Sequence, residues 1–314
     1  ISAIVTVAEK TAKGIIKYEF QAASGDSLPE WQAGAHLDIV VAPEFLRQYS
    51  MSGDPADRSK YQIVVLREDE GRGGSKLMQK IFTKGRHVFF SKPINHFPLN
   101  HNATKTLLMG GGIGITPMIA MAHELHARKA AFELHYSGRA REEMGLLGDI
   151  DSFPWSDHVT LHISSEGTRA NFTNIMAEYQ IGWHVYACGS EVYMSAVMDD
   201  AERAGFPEDA KHLEYFSVPE TPDYENSAFT IKLMKSEIEL PVPADKNAAE
   251  VLIDNGIAVN LKCSDGLCGV CQCGLISGEV EHRDFVLSKA QQKNTIILCQ
   301  SRAAKSEGLL ELDL

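Results

Sequence analysis

The chain has 314 residues, of which 44% are hydrophobic and 23% charged, and it carries a net charge of −12. This length predicts two or three domains, and the composition is that of an ordinary globular protein. The net negative charge argues against binding to nucleic acid, and no apolar run reaches the length of a membrane span. We therefore expect no nucleic-acid partner and no membrane segment.

Residues 1–100 contain short apolar runs separated by Gly, Pro and Asp. Runs at this spacing are typical of a small antiparallel β-barrel. The predicted strands are Ile4–Val7, Ile15–Phe20, His36–Val41, Gln62–Leu66 and His87–Phe90.

Two motifs of this block suit a phosphorylated cofactor. The run Arg-Gln-Tyr-Ser at 47–50 offers a cation for a phosphate, a ring that can lie along a planar group, and a hydroxyl that can bond a ring atom. The run Gly-Arg-Gly-Gly-Ser at 71–75 precedes a predicted helix at 76–82, so its last three residues form a candidate anion site at the helix N-terminus. A glycine-rich hairpin loop is the alternative for this second run.

From residue 105 strands alternate with helices, which predicts a parallel sheet. The predicted strands are 106–109, 132–136, 159–163 and 184–188, and the predicted helices are 119–128, a charged helix after residue 136, and 192–204.

The glycine-rich run at 110–117 follows the first of these strands and opens a helix. Glycines there let the backbone approach a pyrophosphate, and the helix N-terminus supplies free N–H groups. Cys188-Gly189 ends a later strand. Ligands of open α/β sheets bind beyond the carboxyl ends of the strands, so Cys188 either faces a nicotinamide or is an ordinary buried cysteine.

A polar linker is predicted at 218–228, and a third domain at 229–314. The third domain has the order strand, strand, helix, cysteine-rich loop and final strands, which fits a β-grasp ferredoxin. Its four key cysteines are spaced C-x4-C-x2-C, followed after a long gap by the fourth. This is the spacing by which plant-type ferredoxins hold a [2Fe-2S] cluster. The predicted ligands are Cys263, Cys268, Cys271 and Cys299.

Other interpretations of these cysteines are weaker. Zinc ribbons show two C-x2-C pairs, and this chain has one. Disulfides staple small secreted folds, whereas this chain is long and shows no secretory signal, so we expect a reducing cytoplasm. Cys273 lies two residues beyond Cys271 and is interpreted as a small buried residue.

Taken together, the motifs R-x-Y-S, G-R-G-G-S, G-G-I-G-I-T-P-M, C-G and C-x4-C-x2-C with H-R-D resemble the phthalate dioxygenase reductase family. The resemblance covers essentially the whole chain. It implies an FMN-binding barrel (1–100), an NAD(P)-binding α/β domain (101–217) and a C-terminal [2Fe-2S] ferredoxin (229–314). It also implies electron transfer from NAD(P)H through FMN and the cluster, one electron at a time, to a Rieske-type terminal oxygenase.

Site residues follow from the same resemblance. Those implied for FMN are Arg47, Gln48, Tyr49, Ser50, Val64, Val65, Gly73, Gly74, Ser75, Thr116 and Phe216. Those implied for the nucleotide are Gly112, Ile113, Gly114, Arg139, Cys188 and Gly189. Thr116, Cys188 and Phe216 are the implied electron-transfer contacts, and no acid or base is needed. The H-R-D run at 282–284 is expected to brace the cluster loop rather than to bind iron.

Some choices stay open at the level of sequence. The family favours NADH, while Arg139 and Arg169 also allow NADPH. An FAD-dependent ferredoxin reductase-like enzyme that serves a cytochrome P450 is the alternative function. A cluster-binding sensor without catalytic activity is the other.

Overall fold

The computed structural model describes residues 1–43, 45–219 and 224–314. Part of the predicted linker, residues 220–223, lies outside these ranges. The chain divides into two compact units, Ile1–Leu213 and Glu214–Leu314. No helix among the described residues has both the length and the apolar character needed to cross a bilayer.

The first sheet is an antiparallel barrel in the first unit. Its strands are β1 (Ser2–Ala12), β2 (Ile15–Ala22), β3 (Ala35–Ala42), β4 (Phe45–Ser50), β5 (Tyr61–Leu66), β6 (His87–Phe90) and β7 (Ile94–Asn95). They are ordered β4-β3-β6-β1-β2-β5, with β7 beside β3, and a bridge between Met51 and Ile63 links the two ends of this path. One helix, α1 (Gly74–Ile81), follows β5.

Buried and exposed side chains alternate along the barrel strands. In β3, Leu37, Ile39 and Val41 are buried, while Val40 between them is 45% exposed. A strand with this two-residue period packs one face inward and leaves the other to solvent. The structure therefore confirms the barrel. The motif at 47–50 lies on a barrel strand, β4, and the structure adds β7, which the sequence pattern did not show.

The second sheet of the first unit has the order β10-β9-β8-β11-β12. The pairs β10–β9, β9–β8 and β8–β11 are parallel. The strands are β8 (Lys105–Gly111), β9 (Phe132–Gly138), β10 (Val159–Ile163), β11 (Trp183–Cys188) and β12 (Lys211–Glu214). The helices are α2 (Ile115–Ala127), α3 (Leu147–Ser152), α4 (Phe172–Ile175) and α5 (Glu191–Ala204). Helix α2 begins four residues earlier than predicted, directly at the glycine-rich turn.

The barrel and the α/β sheet share one hydrophobic core, which includes Phe20 and Ile39 on one side and Met118 and Leu134 on the other. A partly buried ion pair also joins them, because Lys17 in β2 lies 2.5 Å from Asp149 in α3. This shared core explains why the two sheets form a single compact unit.

The second unit has a five-stranded sheet, β14-β13-β19-β15-β17, and a small pair, β16–β18. Its elements are β13 (Phe229–Leu233), β14 (Ile238–Val242), α6 (Ala248–Asp254), β15 (Gln272–Ser277), β16 (Val280–Glu281), β17 (Thr295–Ile297), β18 (Arg302–Ala303) and β19 (Leu309–Leu312). Strand β13 pairs antiparallel with β14 and parallel with β19. A helix packed on a mixed sheet of this order is the predicted β-grasp fold.

Candidate functional site

Three of the four predicted cluster ligands lie on the loop between α6 and β15, and the fourth, Cys299, follows β17. Cys268, Cys271 and Cys299 are at most 3% exposed, and Cys263 is half-buried. The thiol of Cys263 hydrogen-bonds with those of Cys268 and Cys299, and that of Cys271 with Cys299. Three sulfurs from one loop and a fourth from beyond β17 therefore come together as contacting pairs.

These mutual hydrogen bonds shift the proton affinities in opposite directions. They lower the pKa of Cys263, raise those of Cys268 and Cys299, and bring the pKa of Cys271 down to about 7. Among the described residues, no set of three or more His, Cys, Asp or Glu side chains is arranged around a single metal ion. The cysteines are grouped instead as the contacting pairs given above.

Backbone amides point at these sulfurs. The N–H of Asp265 donates to the Sγ of Cys263 at 3.3 Å. Amides of Leu267, Val270 and Gly266 also hydrogen-bond cysteine sulfurs and lower their pKa. Donors aimed at sulfur stabilise thiolates, which is the form that binds iron. The donor set thus fits the cluster that the spacing predicts.

Two glycines allow the loop to take this shape. Gly266 and Gly269 have φ of 75° and 65°, in the left-handed region that glycine adopts without strain. A Cβ on Gly266 would lie 3.2 Å from the Cα of Asp284 and 3.2 Å from the side chain of Gln300. The loop therefore packs closely against the chain on both of these sides.

Side chains brace the loop from the same two directions. The amide of Gln300 donates to the carbonyl of Ser264 at 2.6 Å and so links the loop to the residue after Cys299. Asp284, whose carboxylate is fully buried, accepts from the Ser301 hydroxyl at 3.2 Å and from the Leu287 N–H at 2.9 Å. The bracing role expected of the H-R-D run therefore belongs to its aspartate.

The other two members of that run bind elsewhere. The guanidinium of Arg283 pairs with Glu281 and donates to Asn226 at 2.6 Å, and it lies 4.3 Å from the ring centre of Tyr224. His282 hydrogen-bonds the carbonyl of Gln292 at 3.0 Å. Arg283 thus ties the start of the second unit to its β16 strand.

Cys273 lies in β15 and is 8% exposed within the hydrophobic core of the second unit. Burial raises the pKa of its thiol to about 11. This placement agrees with the prediction of a buried residue outside the ligand set.

In the first unit, the glycine-rich turn lies at the carboxyl end of β8, beside the end of β11. A Cβ on Gly114 would lie 2.2 Å from the carbonyl oxygen of Cys188 and 2.7 Å from the nitrogen of Gly189. The two predicted nucleotide segments are therefore in backbone contact, and only glycine at 114 permits that approach. Cys188 is fully buried.

Tyr193 in α5 packs against the same turn, although the sequence motifs did not single it out. A Cβ on either Gly111 or Gly189 would lie 2.9 Å from its ring. Burial raises the pKa of Tyr193 to about 12. The glycines thus make room for an aromatic ring.

The remaining turn residues lie at the start of α2. Gly112 has a φ of 55°, and Ile113 follows it on a short 3-10 turn. Thr116 is 2% exposed, and its hydroxyl donates to the carbonyl of Ile113 at 3.1 Å. Arg139 directly follows β9 and is exposed. All of these residues lie at the carboxyl edge of the sheet.

In the barrel, Arg47 lies against the second glycine-rich turn. A Cβ on Gly74 would come 2.3 Å from its Nε, and its guanidinium lies 4.9 Å from the ring centre of Phe45. Gly73, with a φ of 85°, caps α1. The Ser75 hydroxyl accepts the N–H of Glu68 at 3.0 Å. A cation, a helix N-terminus and a glycine turn therefore meet at one place.

The other predicted barrel residues lie on strands β4 and β5. Burial raises the pKa of Tyr49, and Ser50 and Val64 are buried. Gln48 contacts the His36 ring at 2.8 Å. The carbonyl of Val65 accepts from Gln79 of α1 at 2.9 Å, so α1 is anchored to β5.

Phe216 lies in the second unit, three residues past the end of the first, and is 43% exposed.

Comparisons with known proteins decide the family. The model of the 2Fe-2S iron-sulfur cluster binding domain matches residues 231–304. The chain is 35% identical to the vanillate O-demethylase oxidoreductase of Pseudomonas sp. (strain HR199 / DSM 7063), over 99% of this chain and 100% of that protein. The solved phthalate dioxygenase reductase is 34% identical, with a TM-score of 0.71 over 99% of this chain and 98% of its own. The chain belongs to the phthalate dioxygenase reductase family.

A second solved structure is also similar. An intact type IV self-sufficient cytochrome P450 monooxygenase has 34% identity and a TM-score of 0.90, covering 100% of this chain. The chain spans 41% of the length of that P450. As a phthalate dioxygenase reductase family member, the chain is an NAD(P)H-dependent flavin iron-sulfur oxidoreductase of the kind that serves oxygenases. Its fold confirms the predicted class of barrel, parallel sheet and β-grasp ferredoxin.

Proposed function

We propose that this chain takes reducing equivalents from NAD(P)H, passes them through FMN bound at the barrel to a [2Fe-2S] cluster, and delivers single electrons to a terminal oxygenase of the Rieske type. One observation carries this proposal. Four clustered cysteines, three of them buried, receive amide donors in the same chain that carries a nucleotide-type turn. A hydride is two electrons and the cluster carries one, so a chain with both sites divides electron pairs.

The cluster ligands in this proposal are Cys263, Cys268, Cys271 and Cys299. When bound, the cluster supplies a one-electron carrier whose potential depends on hydrogen bonds and burial. The chain's own contribution is to supply N–H donors to the sulfurs and to hold the loop. The amide of Asp265 and the contact between Gln300 and Ser264 serve these two tasks.

The flavin site is proposed at Arg47, Gln48, Tyr49, Ser50, Val64, Val65, Gly73, Gly74 and Ser75, with Thr116 and Phe216 at the ring. Three features favour FMN. The guanidinium of Arg47 lies on the turn at Gly74, α1 presents free N–H groups there, and a terminal phosphate would bind both through charge-assisted hydrogen bonds. FAD would need a further site for its adenosine.

The pyridine nucleotide is proposed to bind at Gly112, Ile113 and Gly114, with its nicotinamide near Cys188 and Gly189 and its far end near Arg139. The close approach of Gly114 to the backbone of Cys188 supports this assignment, because one ligand could then contact both segments. A reducing cytoplasm suits the six cysteines, all of which are free thiols.

The decisive experiment follows electrons through the purified protein. Acid-released flavin run against FMN and FAD standards identifies the cofactor. Anaerobic NAD(P)H should then produce the rhombic resonance of a reduced [2Fe-2S] cluster. FAD in the extract would refute the FMN assignment, and no resonance after full flavin reduction would refute the proposed route. A sensor without catalytic activity would not oxidise NAD(P)H steadily with an artificial acceptor.

A cytochrome P450 is the second candidate partner, because the self-sufficient P450 has the TM-score of 0.90 given above. The two partners differ in what accepts the electron. Reduction of a purified Rieske oxygenase by this chain, with no reduction of a P450 haem under carbon monoxide, is the expected result. The reverse outcome would assign the chain to a P450 system.

A further inference from the structure

The order of strands in the α/β sheet determines where each end of a bound dinucleotide lies. Strand β8, which carries the glycine-rich turn, is flanked by β11 on one side and by β9 on the other, with β10 beyond β9. The proposed nicotinamide site, Cys188-Gly189, ends β11. A dinucleotide whose pyrophosphate crosses the turn therefore places its adenosine over the ends of β9 and β10.

The residues at those two strand ends include two arginines and two serines. Arg139 follows β9, and Ser164, Ser165 and Arg169 follow β10. The two ends are joined, because Ile163 pairs with Gly138 in the sheet and the N–H of Ser165 donates to the carbonyl of Arg139 at 2.9 Å. They therefore form one edge of the site.

Glu166, an acidic residue of this edge, is in an ion pair with Arg141. Glu166 accepts two hydrogen bonds from Arg141, at 2.7 and 3.0 Å, so its charge is compensated. Neither Arg139 nor Arg169 forms an ion pair with any other residue that the structure describes. A free carboxylate at this edge would bind the ribose 2′-hydroxyl of NADH and repel the 2′-phosphate of NADPH. The carboxylate of Glu166 is instead paired with Arg141.

Two further acidic residues, Glu142 and Glu143, are on the loop after β9. The carbonyl of Glu142 accepts the N–H of Lys13 in the barrel at 2.7 Å, so that part of the loop is held against the barrel. Among the described residues 139–141 and 164–169, the charged side chains without an ion pair are those of Arg139 and Arg169.

We infer that NADPH is the preferred donor and that Arg139 and Arg169 bind the 2′-phosphate of its adenosine. This inference rests on the proposed function and specifies its nucleotide. A guanidinium binds a phosphate through two parallel hydrogen bonds, which NADH cannot form at this position. Each arginine is expected to contribute about 10- to 100-fold in affinity, the range of a charge-assisted hydrogen bond.

The first test is binding, so that it does not depend on turnover. Calorimetry compares 2′,5′-ADP, which carries the extra phosphate, with 5′-AMP, which does not. The wild-type holoprotein should bind 2′,5′-ADP more tightly. Arg139→Ala and Arg169→Ala should each reduce that difference, while Arg128→Ala, an exposed arginine just past the other end of α2, should leave it unchanged.

The second test predicts a change in the opposite direction. Arg141→Ala removes the partner of Glu166 and returns an uncompensated carboxylate to the edge. The ratio of kcat/KM for NADPH to that for NADH should fall by about tenfold, the loss of one charge-assisted contact, while Glu166→Gln should not lower it. Ferricyanide as acceptor keeps the cluster out of the measurement.

Equal affinity for 2′,5′-ADP and 5′-AMP would overturn the inference, as would an unchanged preference in both arginine variants. Steady NADH oxidation with no response to NADPH would do the same and still leave the proposed function intact. A protein that oxidises neither nucleotide would instead contradict the proposed function itself.

Discussion

Substitution of Gly114 by alanine tests the contact that unites the two nucleotide segments. The new Cβ would lie 2.2 Å from the carbonyl oxygen of Cys188 and 2.4 Å from its carbon. Unstrained contacts of this type need about 3.5 Å, so the turn and the end of β11 must separate by about 1 Å. Neither obstacle is a side chain that can rotate away. The backbone of Gly114 itself is ordinary, with a φ of −64°, so the effect is purely steric.

Both stability and activity should respond. Overpacking of this kind costs about 1–3 kcal/mol, which for a unit of this size lowers Tm by about 2–12 °C. A displacement of about 1 Å at a reacting centre costs about 100-fold in rate. We therefore expect Gly114→Ala to lower kcat/KM for NAD(P)H with ferricyanide by about that factor, with flavin content close to wild type.

Gly148→Ala is the matched control. Gly148 lies in α3, is exposed, and a Cβ there meets nothing within 4 Å. Alanine within a helix should stabilise by about 0.5–1 kcal/mol and leave kinetics unchanged. If Gly114→Ala keeps kcat/KM within about twofold of wild type and melts at the wild-type temperature, the close approach in this structure is wrong.

Other predictions concern the cluster, the flavin and pH. Cys268→Ser should abolish partner reduction but keep ferricyanide activity, whereas Cys273→Ser should keep both; loss of both in the first variant would contradict separate sites. Asp284→Asn should shorten the lifetime of the cluster absorbance under chelator, and an unchanged lifetime would remove its bracing role. Arg47→Ala should lower the FMN-to-protein ratio. Burial lowers the pKa of His212 from 6.5 to about 4, so the unfolded chain binds the extra proton first. Stability should therefore fall by up to about 3 kcal/mol as pH drops through this window, measured by urea unfolding, and His212→Asn should flatten the dependence.

Local patterns predicted most of the fold. Strands 159–163, 229–233 and 238–242 occur with the predicted bounds, because a period-two alternation of residue type is visible within a few consecutive residues. The start of α2 was placed too late, since glycine and proline have low helix propensity and the turn at Gly112–Gly114 leads directly into the helix. Strand β7 is only two residues long and has no period to detect.

The residues of the candidate sites likewise divide into those that a local sequence pattern reveals and those that only the fold brings together. Glycine runs and cysteine spacings are local in sequence, and they pointed to the turns at 73–75 and 110–117 and to the loop at 263–271. The residues that complete these sites come from far along the chain. Tyr193 reaches Gly111 from another helix, and Arg141 pairs with Glu166 across two strands. No spacing rule relates such residues, because sheet order alone makes them neighbours.

Glycine has different roles in the two sites, and the difference can be tested by substitution. Gly114 has an ordinary φ and is needed because backbone fills the space where a Cβ would lie. Gly266 has a φ of 75° and a Cβ would also lie 3.2 Å from Asp284, so an L-residue there is strained as well as crowded. The proposed nucleotide turn therefore depends on the absence of a side chain at Gly114. A site that holds a permanent cluster depends on a backbone shape, which amide donors and Asp284 must maintain.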